Sequence, residues 1–133
     1  MYLKEFNDEK TKIAIIDLCI YSARANGVVE ETERMQLEEF CEEMNYPFYE
    51  IPKQEFEEAV NYIEESCSSS DKRKIIMELL SVMMSDGNCD DEELDFVKKV
   101  AGSWGIKQED VEEFKHALTQ LYMMYAKLNS LLY

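Results

Sequence analysis

The chain has 133 residues and a formal net charge of −15, from 29 acids against 14 bases. That length is one domain with room for a core, and an apolar share of 46% is too high for a disordered chain. The charge excludes a nucleic-acid phosphate surface, which needs clustered Lys and Arg, and disfavours an anionic bilayer; metal cations or basic protein partners fit better.

Only 4 Gly and 2 Pro are present, and strand formers neither cluster nor alternate, so the expected class is all-α. The four cysteines, Cys19, Cys41, Cys67 and Cys89, form no C-x-x-C pair and none stands beside the single histidine at ligand spacing, which argues against a zinc site. The opening Met1-Tyr2-Leu3-Lys4-Glu5 has no apolar signal core, and no run approaches the ~20 apolar residues that span a bilayer. A cytoplasmic chain with reduced thiols is the expectation.

Taken in order, the first helix should run from about Asp8 or Thr11 to Ala25. Its stripe is Ile13, Ile16, Ile20 and Ala23, broadened by Ile15, Cys19 and Ser22, which makes it central. Asn26-Gly27 stops it, since Gly suits the left-handed position past a helix end. A second helix starts near Glu31, with Met35, Leu37, Phe40, Cys41 and Met44 on its apolar face. The loop Asn45-Tyr46-Pro47-Phe48-Tyr49-Glu50-Ile51-Pro52 follows. Pro52 is expected to open the third helix, where a missing N–H costs nothing, and that helix should reach Glu65.

Ser66-Cys67-Ser68-Ser69-Ser70 reads as a linker. The fourth helix then runs from Asp71 or Lys72 to Ser85, the fifth from about Asp91 to Trp104, where Gly105 closes it, and the sixth from Gln108. Its last segment carries Leu118, Leu121, Tyr125, Leu128 and Leu132 at alternating spacings of three and four, with Tyr122, Met123 and Met124 beside them. We expect this apolar segment to fill a groove between the halves of the molecule; the alternative is a homodimer through the C-terminal helix.

The chain repeats itself. Ala25-Asn26-Gly27-Val28-Val29-Glu30-Glu31-Thr32-Glu33 is echoed by Ser85-Asp86-Gly87-Asn88-Cys89-Asp90-Asp91-Glu92-Glu93. The expected architecture is a single domain over 1–133 of six or seven helices. It divides into two similar halves, about 8–65 and 71–125, joined by the linker 66–70. Glu30 and Asp90 fall at the N-cap of the helix after each loop, and Glu33 and Glu93 at the reciprocal capping-box position. That accounts for most of the motif as a helix connector. It does not account for Asp86, an acid at the negative end of a helix dipole. Hard cations take oxygen ligands, so Asp86, Asp90 and Glu93, with Asn26, Glu30 and Glu33 from the first loop, form the candidate site for Ca²⁺, Mg²⁺ or Mn²⁺. The spacing is not that of an EF-hand, because Asp91 and Val97 stand where the loop Gly and closing Glu are required.

The pattern of apolar helix, small-Asp-Gly-x-apolar-x-x-x-Glu and amphipathic helix resembles the TerB-like, tellurite-resistance family and the related domain of DnaJ-like co-chaperones. The second half matches at Ser85, Asp86, Gly87, Cys89 and Glu93. The first matches at Ala25, Gly27, Val29 and Glu33, with Asn26 where the family has Asp. The resemblance extends over about residues 10–125. It implies an all-helical fold of two similar halves, an association with stress and tellurite resistance, and acidic motif residues proposed to bind metal.

No nucleophile elbow, phosphate loop or H-E-x-x-H is present, and His116 is expected on an exposed helix face. The acids are expected at the surface, where nothing tunes them for acid–base work. We therefore expect no enzyme but an acidic interaction module, with the cation sensor or buffer as alternative. Its candidate partner-binding residues are Tyr46, Phe48 and Tyr49 in the loop and Tyr122 and Tyr125 on the last helix.

Overall fold

A computed structural model describes residues 1–25, 27, 29–84 and 89–133. Among them are six α-helices and one 3₁₀ turn and no strand: the turn Leu3–Glu5, then α1 (Glu9–Ala23), α2 (Glu31–Glu43), α3 (Phe56–Ser66), α4 (Ser69–Met83), α5 (Asp91–Ser103) and α6 (Gln108–Leu132). The bounds of α1 and α2 recur in α4 and α5, each displaced by 60 residues. The third helix of each set differs, with 11 residues in α3 and 25 in α6.

Helix α1 is the axis of the molecule and packs against α2, α3, α4 and α5. Ala14 through Ile20 are all buried, so this helix is covered on every side, as its apolar run requires. It starts where Asp8 accepts from the Thr11 backbone N–H at 3.0 Å and the Thr11 hydroxyl at 2.8 Å. The stops also follow residue chemistry. Asn45, at φ 54°, and Gly105, at φ 76°, adopt the left-handed turn. The N–H of the residue after each reaches back to a helix carbonyl, Tyr46 to Cys41 and Ile106 to Ala101, both at 2.9 Å. Trp104, buried at the end of α5, donates its indole N–H to the Val60 carbonyl at 3.1 Å and so ties α5 to α3.

Several expectations are corrected. Pro52 does not open α3, which begins at Phe56. The reason is Asp17, a carboxylate buried in the middle of α1. The backbone N–H groups of Lys53 and Gln54 donate to it at 3.0 and 3.2 Å, and the Tyr49 hydroxyl donates at 2.8 Å. A buried carboxylate left without donors is costly, so the chain here is held as a loop across α1. The linker expected at 66–70 shrinks to Cys67 and Ser68, because the Ser68 hydroxyl oxygen caps α4 by accepting from the Asp71 N–H at 3.1 Å. Met35, assigned to the apolar face of α2, is exposed.

The first residues had no expected role and prove to be part of the core. Leu3 and Phe6 are buried, and the Tyr2 N–H donates to the buried Glu78 carboxylate at 2.8 Å. Three of the acids buried in this way, Asp17, Glu33 and Glu93, lie in the first or middle turns of helices whose packing the sequence did not disclose.

Candidate functional site

Two regions depart from the rule that charge faces water and apolar side chains do not. The first is the junction of the starts of α2 and α5, near enough for the charge of Glu33 to act on Glu93. Glu30 and Asp90 cap α2 and α5, and both helices start with a capping box. The Glu30 N–H donates to Glu33 Oε1 at 3.0 Å; the Asp90 N–H donates to Glu93 Oε1 at 3.5 Å, and the Glu93 N–H donates to Asp90 Oδ1 at 2.8 Å. The caps are exposed but the box glutamates are not: Glu33 is 3% exposed and Glu93 6%.

Burial pushes the Glu93 carboxyl up to about 7, and the negative charges of Asp90 and Glu33 push in the same direction, against the Asp90 N–H that favours the carboxylate. The charge of Glu33 is thus felt at Glu93, from the other half of the chain. The expectation that the acids lie at the surface fails here, because the first turns of α2 and α5 pack inward. Of the candidate ligands, the structure buries Glu33 and Glu93 together and leaves Glu30 and Asp90 at the rim; Asn26 and Asp86 lie outside the described residues. Among the described residues no three His, Cys, Asp or Glu side chains are grouped closely enough to hold a metal ion.

The second region is the end of α6. Val111 and Leu118 are buried and Phe114, Leu121 and Tyr122 half-buried, but every residue from 123 to 133 is exposed. The geometry of α4 explains the break. Arg73 pairs with Asp110 at 3.3 Å and its guanidinium lies 5.0 Å from the centre of the Phe114 ring. Further along, Met77, Glu78 and Ser81 share a groove of about 220 Å³ with Leu118 and Tyr122. The two helices therefore run parallel, and α4 ends at Met83, about level with Tyr122. Beyond it no described residue covers α6. This overturns the expectation that the segment fills a groove between the halves: Tyr125 is 52% exposed, Leu128 45%, Leu131 and Leu132 72% each.

The aromatic loop is engaged with its own chain. The Tyr49 hydroxyl is bonded to Asp17, and burial together with that carboxylate carries its phenol far above the usual tyrosine range. Lys53 Nζ lies 5.0 Å from the Tyr46 ring centre and 4.6 Å from that of Tyr49, and the Arg34 guanidinium 5.6 Å from that of Phe48. Tyr122 is half-buried at the α4–α6 groove. Tyr125 alone of the five candidate aromatics is more than half exposed. Sequence reasoning missed Asp17 and Glu78 as buried acids, although Asp17 inside Ala14-Ile15-Ile16-Asp17-Leu18-Cys19-Ile20 was the signal for one.

The family model described as Tellurite resistance protein TerB matches residues 45–116, more than half of the chain. The chain belongs to the TerB family. The matched span takes in α3, α4, α5 and the first part of α6, with the second loop motif, and is narrower than the 10–125 expected from the resemblance. No curated protein and no solved structure matches. The matched span stops at His116, before the exposed end of α6. No helix among the described residues is long and apolar enough to cross a membrane.

Proposed function

We propose that this TerB-family chain is a non-enzymatic, acidic helical interaction module that docks a protein partner through the apolar stripe at the end of α6, in a role related to stress or tellurite resistance. The observation that carries the reading is that stripe. Met124, Tyr125, Leu128, Leu131 and Leu132 are all about half exposed or more and fall on one side of the helix. Covering such a patch is favourable by roughly 25 cal/mol for each Å² removed from water. Among the described residues no nucleophile–base pair accompanies the buried acids, and Cys19 and Cys41 are buried as part of the apolar core. A photo-crosslinking residue at Leu128 in living cells tests the reading. A covalent product from Leu128 and none from Ser130 on the opposite face is expected; no product from either position would end it.

One observation favours a second reading, a divalent-cation sensor or buffer. Glu33 and Glu93 supply two buried carboxylates whose charges oppose each other, and a hard cation relieves such repulsion. The residues that would hold it are the two box carboxylates, Glu33 and Glu93. Ca²⁺, Mg²⁺ or Mn²⁺ should then raise the melting temperature of the parent and not that of Glu93→Gln; equal shifts in both would mean general screening of the −15 charge.

A further inference from the structure

The spacing along α6 does not change where its cover ends. Val111, Phe114 and Leu118 alternate at three and four residues where α4 accompanies the helix, and Leu121, Tyr125, Leu128 and Leu132 continue that alternation beyond it. An unbroken repeat of this kind is the seam of a two-helix coiled coil. Its first half packs against the body of the molecule, and along its second half, from 123 to 133, every side chain is exposed, with no helix among the described residues beside it.

Charge says what fills that position. Residues 117–133 contain no Asp or Glu and one base, Lys127, in a chain of net charge −15. A basic partner finds nothing to pair with there, whereas a second copy meets no local repulsion. Resting on the docking reading above, we infer that residues 121–132 pair with the same residues of a second copy of this chain, antiparallel and about a two-fold axis. The direction follows from the same charges. Side by side, two strongly acidic bodies would face each other directly. Antiparallel, they sit at opposite ends of an overlap roughly 18 Å long, more than the Debye length of about 8 Å at physiological ionic strength. The contact is isologous and closes at two copies.

The test is sedimentation equilibrium of the purified full chain over a range of micromolar concentrations, at low and high NaCl. A dimer that holds or tightens as salt rises is expected, because salt screens the two bodies; attraction to a basic partner would weaken instead. Leu128→Glu, and independently Tyr125→Glu, should raise the dissociation constant about 100-fold, since the change enters the seam twice. Both residues are exposed in the single chain, so the melt of the dilute variants reports whether they remain folded. Lys127→Glu should remain dimeric. A parent that is monomeric throughout, or a dimer that survives both seam substitutions, overturns the inference. If the Leu128 crosslinker then captures a different protein in cells, the second copy fails and the docking surface stands; if it captures nothing, both fail.

Discussion

At the junction of the starts of α2 and α5 two glutamates are held 3% and 6% exposed, while at the end of α6 two leucines stand 72% exposed. The two regions store free energy in opposite ways. The junction keeps charge inside, with each box carboxylate accepting a backbone N–H at a helix start, where the dipole favours negative charge. That arrangement offsets part of the desolvation and leaves a pair of carboxylates that a proton or a cation would relieve. The α6 end keeps apolar surface outside, and nothing within the described residues offsets it. The first imbalance is coupled to the fold, because α2 and α5 both start there. The second is not, because no packing depends on it.

The largest expected effects separate these cases along α6 itself. Leu118→Ala should cost about 2–5 kcal/mol in chemical denaturation, because Leu118 is buried against α4. In the dilute, monomeric chain the same truncation at Leu132 should leave stability unchanged, and a comparable loss there would mean that the end of the helix is covered within its own chain.

Next in size is the response of the junction to cations. If Glu33 and Glu93 bind one, a concentration 100 times the dissociation constant should add about 2.7 kcal/mol to stability. The gain should grow as pH rises past about 7, where Glu93 loses its proton. A shift of the same size in Glu93→Gln would place the ion elsewhere.

The pH dependence of the fold sharpens the comparison further. The folded-state value of Glu93, about 7, lies above its ordinary 4.5. The folded chain therefore holds this proton more tightly than the unfolded chain. The contribution is fully present below 4.5 and is lost as pH rises through about 7; the full difference would be about 3.4 kcal/mol, which solvent screening at the exposed rim reduces to about 1–2 kcal/mol. Glu93→Gln should flatten that fall in a series of melts, while retaining an amide oxygen for the Asp90 N–H. A fall of the same steepness in the variant would assign it to other groups.

The smallest change concerns the free end. Leu128→Glu should alter the stability of the dilute chain by less than about 0.5 kcal/mol, however strongly it affects association. A larger loss in the monomer would show that the stripe already has a cover within its own chain.

How much was legible in the sequence can be judged residue by residue. The starts of α2 and α5 were readable to within a residue, because capping residues act on the turn beside them. The stops at Asn45 and Gly105 were readable for the same reason. Pro52 misled because its local fitness for a helix start was overridden by Asp17, some 35 residues earlier, which draws the Lys53 and Gln54 amides to itself. Glu33 and Glu93 were recognised as box residues, yet their burial depends on which face of each helix meets the body, and capping alone does not set that.

By itself, then, the sequence determined the all-helical class, the repeated helix–loop–helix, the family and the apolar seam of α6, since each rests on residues that interact within a few positions of one another. Tertiary structure alone decided which acids were taken out of water and where the seam lost its cover. Those outcomes depend on how α1 gathers the other helices around it and on α4 running parallel to α6 and ending first. An apolar repeat states that a helix can be covered; only the length and direction of its neighbour state how far.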